Sequence, residues 1–346
     1  MMAGKCFAGA IMRGTKMAEA QIILEARNLS KRYPVKKTGL LKRPSVLKAV
    51  DDVSLCLREG EVLGIVGESG CGKSTLARML AWLIRPTSGS VLLLGEDPSG
   101  LSDKEIRKLR RNIQVIFQNP HASLDPGRLI RESLAEPLQI HRICSQEEAW
   151  QKSRDLLHMV GMDEDAMDKY PEELSGGQLQ RICIARALAL EPKILICDEC
   201  VSALDVSNQA QVLNLLMDLR KKLNVSMVFI SHDLRVVRFM STRIAVMYLG
   251  RIVEEAGTEE LYLNAEHPYT RALLSSVPAA NPALREMRFR LTGDIPSPVD
   301  LPPGCSFASR CPYAKEECRQ WVPERLTIRE GHDTLCLRAG EINWKE

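Results

Sequence analysis

Three things are missing from this chain of 346 residues, and each absence narrows its possible roles. No apolar run approaches the ~18–20 residues that a membrane-spanning helix needs, so another chain would supply the membrane part of any membrane process. The formal net charge is only +3, which gives no indication of a nucleic-acid-binding surface. Residues 1–20 contain no apolar segment long enough for a secretory signal. With Met17 as an alternative start, we expect them to be disordered or wrongly assigned to the chain.

The most informative segment is a glycine-rich stretch that follows an apolar run at 62–66. It reads Gly67-Glu68-Ser69-Gly70-Cys71-Gly72-Lys73-Ser74-Thr75. The pattern G-x-x-x-x-G-K-[ST], between a predicted buried strand and a predicted helix over 75–84, is typical of a phosphate loop. Its glycines let the backbone turn N–H groups inward around an anion, and the helix N-terminus adds unpaired donors. The sequence therefore predicts that Lys73 reaches the β- and γ-phosphates of a nucleotide and that Ser74 binds Mg²⁺.

Further polar residues follow apolar runs that are predicted to be strands, namely Gln118, the pair Asp198 and Glu199, and His232. Ligands of open α/β sheets bind at the carboxyl ends of the strands. Asp198 is suited to hold Mg²⁺, and Glu199 to polarise a water for attack on the γ-phosphate. Gln118 is suited to bind Mg²⁺ or a water, and His232 to contact the γ-phosphate. The structural alternatives are an acidic turn, a solvated loop glutamine and a buried-strand histidine.

Two other positions are candidates for nucleotide contact. The segment Leu174-Ser175-Gly176-Gly177-Gln178 precedes a helix predicted over 179–190. Ser175 is a natural helix cap, and the two glycines expose backbone donors, which predicts either a second anion site or a capped helix without a ligand. Tyr33 precedes the phosphate loop and is suited to stack on adenine. A tyrosine at the edge of the core is the alternative.

In this order and spacing the motifs resemble those of the nucleotide-binding subunit of an ATP-binding cassette (ABC) transporter, over about 22–265. The resemblance implies an α/β fold: a P-loop NTPase with a RecA-like core, an antiparallel β subdomain and a helical subdomain at about 119–173. We therefore expect an ABC nucleotide-binding domain over 21–265. The resemblance also implies roles for single residues: adenine stacking by Tyr33, the Walker A loop at 67–74, the Q-loop Gln118, the signature 174–178, the Walker B Asp198, the catalytic Glu199, the D-loop 202–205 with Asp205, and the switch His232.

The residues after the cassette resemble the C-terminal extension of oligopeptide/dipeptide permease ATPases, which predicts a separate extension over 266–346. The segments that carry this resemblance are His267-Pro268-Tyr269-Thr270-Arg271-Ala272-Leu273, Ile295-Pro296-Ser297-Pro298 and Arg310-Cys311-Pro312-Tyr313-Ala314. One departure is Cys200, which stands beside Glu199 where the family usually carries proline.

The resemblance implies a subunit that binds and hydrolyses ATP, with Mg²⁺, to energise an importer of di- or oligopeptides. It would lie peripherally on the cytoplasmic face of the membrane. The implied partners are a second ABC ATPase chain, two transmembrane permease subunits and an extracytoplasmic solute-binding protein, without nucleic acid. Import of nickel, glutathione or another small solute is the nearest alternative. An ABC ATPase that acts on DNA or ribosomes instead of in transport is the second.

Four of the eleven cysteines lie in the extension: Cys305, Cys311, Cys318 and Cys336. Disulfides are disfavoured if the chain faces the reducing cytosol. Structural zinc sites usually pair cysteines about two to four residues apart, and ferredoxin spacings also differ from this one. The residues alone therefore leave iron–sulfur and zinc open, with unpaired thiols as a third possibility. The resemblance favours a 4Fe–4S cluster over Zn²⁺, because peptide-permease ATPases carry this cysteine set as a cluster site. Apart from a metal site of this kind, we expect the extension to have little hydrophobic core of its own.

Overall fold

The computed structural model describes residues 20–35, 45–276, 296–299, 301, 303–321 and 324–342. The N-terminal segment 1–19 lies outside the described residues, so the expectation for it stays a prediction. The chain divides into two compact units. Unit one comprises Met1–Arg58, Leu63–Glu96 and His232–Glu346, and unit two comprises Glu59–Val62 and Asp97–Ser231.

The strands in the described residues are β1 (Ile22–Val35), β2 (Ser45–Arg58), β3 (Val62–Val66), β4 (Ser88–Leu93), β5 (Ile113–Ile116), β6 (Ile194–Asp198), β7 (Ser226–Ile230), β8 (Arg243–Tyr248), β9 (Arg251–Gly257), β10 (Leu326–Arg329) and β11 (His332–Thr334). The α-helices are α1 (Lys73–Leu80), α2 (Asp103–Arg110), α3 (Pro120–Ser123), α4 (Ile130–Ile140), α5 (Gln146–Met159), α6 (Gly176–Leu188), α7 (Val206–Leu223), α8 (Leu234–Met240), α9 (Thr258–Asn264), α10 (Pro268–Ser275) and α11 (Glu316–Gln320). None of them is long and apolar enough to cross a membrane.

Unit one contains two groups of strands. The first is an antiparallel sheet in the order β2-β1-β4. The second follows the order β10-β11-β9-β8-β3, in which β3 and β8 are parallel and the other neighbours are antiparallel. Every residue of β3 is buried, as the apolar run predicts for a strand that is covered on both faces. The C-terminal strands β10 and β11 thus lie in the same sheet as β3, the strand before the phosphate loop.

Unit two contains the parallel strands β7-β6-β5 and most of the helices. Between 119 and 173 the described elements are all helical, namely α3, α4, α5 and two short 3₁₀ turns. Ser102, Ser145 and Ser175 begin α2, α5 and α6 with capping boxes, in which the serine and the third helical residue satisfy each other's backbone donors. The domain bounds expected above, including the helical subdomain at 119–173, remain predictions.

Candidate functional site

The phosphate loop follows β3 and ends where α1 begins, so its shape is set by a buried strand and a helix N-terminus. Gly70 and Gly72 have φ of 78° and 109°, in the region that favours glycine. A Cβ added to Gly72 would lie 2.1 Å from the carbonyl oxygen of Ala49. Only glycine fits there, because both the backbone angle and the neighbouring backbone exclude a side chain. The sequence pattern thus reports a real geometric constraint.

Lys73 is the first residue of α1, and its side chain returns over the loop. It is only 4 % exposed. Its Nζ donates to the carbonyl oxygens of Gly67 at 2.8 Å and Glu68 at 3.1 Å. The ammonium is therefore held at the loop whose backbone N–H groups are predicted to form the anion site. Ser74 is exposed in the first turn of α1, and Thr75 follows it.

Glu68 is held by two residues of the C-terminal part of unit one, which sequence reasoning gave no role. Its backbone N–H donates to Tyr269 Oη at 2.9 Å. Its carboxylate accepts from Arg310 Nη1 at 2.9 Å and Nη2 at 3.1 Å, a bidentate ion pair. The two arginine contacts join residues 242 positions apart in the chain, so no local pattern could have revealed them. The only signal was that Arg310 and Tyr269 lie in the segments that resemble the permease extension.

Two more candidates lie in unit one. Tyr33 is on β1 opposite Leu47 and is 37 % exposed, with Lys31 Nζ 5.4 Å from the centroid of its ring. An exposed ring of this kind is able to stack on a base. His232 is exposed and lies between β7 and α8. The following residue, Asp233, caps α8 by accepting from the backbone N–H of Arg235.

In unit two the structure brings Gln118, Glu199 and Ser202 together. Gln118 Nε2 donates to Glu199 Oε2 at 3.1 Å and to Ser202 Oγ at 3.3 Å, and Ser202 Oγ donates to the Glu199 carbonyl at 2.9 Å. Glu199 has a φ of 49°, which is uncommon for a residue with a side chain, and its N–H is held by the carbonyl of Ile230. Such strained positions concentrate at functional sites, where surrounding bonds hold them.

Asp198 and Cys200 flank this glutamate. Asp198 is the last residue of β6 and is 5 % exposed, so its carboxylate lies at the carboxyl edge of the strand as predicted. Cys200 is also buried, at 1 % exposure, and its hydrogen bond to Cys197 raises the pKa of the Cys197 thiol well above its usual range, with burial adding to the shift. The residue in place of the usual proline is thus packed into the core and leaves the Glu199 contacts intact.

The predicted signature segment forms the start of α6. Ser175 Oγ accepts from the backbone N–H of Gln178 at 3.4 Å, and Gln178 Oε1 accepts from the N–H of Ser175 at 2.9 Å. Gly177 lies against Asn208, whose Oδ1 would be 2.7 Å from an added Cβ. Asp205 caps α7 through the backbone N–H of the same Asn208, and this hydrogen bond lowers the pKa of Asp205. The signature and the predicted D-loop therefore share Asn208.

The four cysteines of the extension line one pocket, together with His267 and Phe307. None of them forms a disulfide. Burial raises the pKa of Cys311 to about 11 and that of Cys336 to about 12, and neighbouring thiols add to both shifts. Among the described residues, no three His, Cys, Asp or Glu side chains are arranged to hold a metal ion. The predicted iron–sulfur or zinc site is therefore not supported by the described side chains.

Comparison with known proteins gives two family models in succession. The model described as "ABC transporter" matches residues 50–202, and the model described as "Oligopeptide/dipeptide transporter, C-terminal region" matches residues 253–318. The chain is 47 % identical over 322 residues to the oligopeptide transport ATP-binding protein AppF of Bacillus subtilis, covering 92 % of this chain and 98 % of that protein. It is 48 % identical over 322 residues to the di/tripeptide transport ATP-binding protein DppF of Pseudomonas aeruginosa, covering 93 % and 99 %.

Solved structures agree in fold. The ATP-binding cassette MJ0796, in a dimeric post-hydrolysis state bound to ADP and Pi, matches with a TM-score of 0.60 and 32 % identity, covering 68 % of this chain and 98 % of that one. The protein cbiO1 of Clostridium perfringens, part of the ABC transporter complex cbiONQ, matches with a TM-score of 0.60 and 28 % identity, covering 70 % and 91 %. The expected ABC-type α/β fold is confirmed, and the chain belongs to the ATP-binding subunits of the oligopeptide/dipeptide ABC transporter family.

Proposed function

We propose that this chain binds and hydrolyses MgATP to energise the import of di- and oligopeptides. The observation that carries the substrate class is the match of residues 253–318 to the oligopeptide/dipeptide C-terminal model, in a chain whose relatives AppF and DppF are named for peptide transport. The nickel, glutathione and DNA or ribosome alternatives have no comparable support.

The proposal assigns roles to individual residues of the predicted nucleotide site. The phosphate loop and Lys73 hold the β- and γ-phosphates, because the loop offers backbone N–H groups and an ammonium held at its rim. Ser74, Gln118 and Asp198 serve as Mg²⁺ ligands. Tyr33 stacks on the adenine, and its ring is exposed enough to do so. His232 contacts the γ-phosphate.

Glu199 is the proposed general base. Its carboxylate accepts a hydrogen bond from Gln118 Nε2, which orients the group for the polarisation of a water. Its left-handed backbone is fixed by the Ile230 carbonyl and by Ser202, so the carboxylate is positioned before substrate arrives.

The proposed assembly is a head-to-tail pair with a second ABC ATPase chain. In it, Leu174 to Gln178 of one chain approaches the nucleotide held by the other, since the start of α6 presents the backbone donors of Gly176 and Gly177. The dimeric cassette MJ0796, bound to ADP and Pi, supports such an arrangement. Two transmembrane permease subunits and an extracytoplasmic solute-binding protein complete the importer, and this chain lies on its cytoplasmic face.

A narrower proposal concerns the four cysteines, as ligands of a 4Fe–4S cluster or, alternatively, of Zn²⁺. Its support is that all four side chains line one pocket. Binding would require the thiols to lose their protons and to move together. Anaerobically purified protein should then contain about four iron and about four sulfide per chain, or one zinc. Absence of iron, sulfide and zinc, or a content of these that is unchanged by Cys311→Ser with Cys318→Ser, contradicts this proposal.

Uptake measurements test the main proposal. Cells that lack this chain should lose uptake of a labelled tripeptide, and the wild-type chain should restore it, whereas Glu199→Gln should not. Labelled nickel and glutathione are measured in parallel. Restoration of nickel or glutathione uptake alone would favour the alternative solute, and uptake of all three that is indifferent to the chain would contradict an importer role.

A further inference from the structure

The phosphate loop is fastened to the C-terminal extension at one residue, Glu68. Arg310 grips the carboxylate through two hydrogen bonds, at 2.9 and 3.1 Å. Tyr269 accepts the backbone N–H at 2.9 Å, and Lys73 donates to the backbone carbonyl at 3.1 Å. The side chain, the backbone N–H and the backbone carbonyl of Glu68 are therefore all hydrogen-bonded. The partners of the side chain and of the N–H, Arg310 and Tyr269, belong to the predicted extension.

The Arg310 contact is sheltered from solvent. The Arg310 side chain is 6 % exposed and that of Glu68 is 22 % exposed. The hydrogen bonds to Glu68 raise the pKa of Arg310. A bidentate pair in such surroundings is directional and weakly screened, so it fixes the position of Glu68 more firmly than an exposed ion pair would.

The guanidinium also contacts a cluster of aromatic side chains. Arg310 Nη1 lies 3.4 Å from Tyr248 Oη, and Arg310 Cζ lies 5.9 Å from the centre of the Tyr248 ring. The Tyr248 ring packs against those of Tyr269 and Phe307, with centroids 4.6 and 5.3 Å apart. Arg310 thus connects the packed aromatic side chains to the phosphate loop.

We propose that Arg310 is a positioning residue of the nucleotide site, which acts through Glu68 to set where Lys73 meets the β- and γ-phosphates. The link is the Glu68 carbonyl, which shares the Lys73 ammonium with the Gly67 carbonyl. Displacement of Glu68 moves one of the carbonyl oxygens that hold the ammonium. The proposal rests on the role of Lys73 given under the proposed function.

A merely structural tie is the alternative, in which Arg310 holds the extension in place and nothing more. Arg325 offers a matched control. It also joins the extension to the sheet by ion pairs, with Nη2 at 2.9 Å from Glu255 and 2.7 Å from Asp333, although its side chain is 41 % exposed. It makes no contact with the phosphate loop among those described.

The test compares Arg310→Gln, Glu68→Gln and Arg325→Gln by MgATP affinity, AMP affinity, kcat, KM and melting temperature. Arg310→Gln and Glu68→Gln should each weaken MgATP binding about tenfold, in the range typical of energetic coupling, and leave AMP binding unchanged. The double variant should be no weaker than either single one. Arg325→Gln should lower the melting temperature without changing MgATP affinity.

Three results would overturn the proposal: MgATP affinity within about twofold of wild type in a folded Glu68→Gln, equal losses for MgATP and AMP, or an equal loss in Arg325→Gln. Glu68→Gln keeps the test valid if Arg310→Gln does not fold, because it leaves the extension untouched. Lys73→Ala distinguishes a failure of the proposed function of the phosphate loop from a failure of the positioning role of Arg310. If Lys73→Ala retains MgATP binding, the proposed function of the loop fails. If only Lys73→Ala loses binding, the positioning role fails.

Discussion

The amide of Gln118 donates to the carboxylate of Glu199 across 3.1 Å, although the two residues are 81 positions apart in the chain. The same amide lies 3.3 Å from Ser202 Oγ. This contact joins the end of β5 to the residue after β6, and it fixes one oxygen of the proposed general base. A glutamine in this place provides a donor without adding a charge.

Changing Gln118 should therefore change turnover in a graded way. Gln118→Ala removes the donor and should lower kcat about tenfold, because the base loses its orientation. Gln118→Glu should lower it further, since two carboxylates would face each other across ~3 Å and repel. Steady-state ATPase rates at saturating MgATP measure both. A Gln118→Glu variant faster than Gln118→Ala would contradict this view of the contact.

Gly72→Ala should abolish MgATP binding and reduce stability. The added methyl group would meet the Ala49 carbonyl at 2.1 Å, in addition to the strain of a φ of 109°. Gly95→Ala is the matched control, because Gly95 has a φ of 84° with nothing within 4 Å of the added Cβ. The free energy of unfolding of Gly95→Ala should fall only by the cost of the left-handed backbone, about 1–2 kcal/mol, and the variant should still bind MgATP. Urea unfolding measures the stability of the two variants, and nucleotide titration measures their MgATP binding. Equal effects of the two changes would refute the steric argument.

His332 should make stability depend on pH. It is fully buried, with Nε2 at 2.8 Å from Glu254 and Nδ1 at 3.2 Å from Glu260. Burial by itself lowers the pKa of His332, but the hydrogen bonds and charges of the two glutamates outweigh it and raise the pKa above 6.5. The stabilisation is therefore complete below the unfolded pKa, and it is lost as the pH rises through the folded pKa.

The free energy of unfolding of wild type and His332→Gln should accordingly differ more at about pH 6 than at about pH 8.5. His158→Gln serves as the control. The His158–Glu164 pair is 2.9 Å long but has side chains 56 % and 54 % exposed, so it should contribute little at either pH. A His332 difference that is constant, or larger at the higher pH, would contradict the assigned partners.

Nucleotide should control dimerisation. If each ATP takes donors from the phosphate loop of one chain and the Ser175 helix start of the other, Glu199→Gln should be monomeric alone and dimeric with MgATP. Light scattering with and without MgATP measures this, and Glu199→Gln combined with Lys73→Ala should stay monomeric throughout. A dimer that is indifferent to nucleotide would count against the proposed pairing.

Local sequence patterns were enough to find the elements that carry the motifs. The apolar run predicted a strand over 62–66, which is where β3 lies. The helix predicted over 75–84 begins earlier, at Lys73, because the backbone is helical directly after Gly72, and it ends earlier, at Leu80. Trp82, with a φ of 53°, already departs from the helix. The helix predicted from 179 starts at Gly176, since the Ser175 cap draws both glycines into its first turn.

Contacts between distant positions were beyond those patterns. The extension was expected to have little core of its own, but β11 pairs with β9, and Phe307 and His332 are 1 % and 0 % exposed. Two strands of three and four residues carry too little periodicity to reveal such pairing. The family resemblance predicted a metal site at the four cysteines, which the described side chains do not form, because a sequence names possible ligands but does not show that they converge. The roles of the individual site residues remain predictions.

The most direct test of the account is ATP turnover by Glu199→Gln, assayed with the partner subunits. The carboxamide keeps the size of the side chain and its place beside Gln118, but it cannot accept the proton of the attacking water. We predict that MgATP affinity stays at the wild-type value and that hydrolysis slows roughly 10²–10⁴-fold, the usual contribution of a positioned base. Near-normal turnover by this variant would contradict the account.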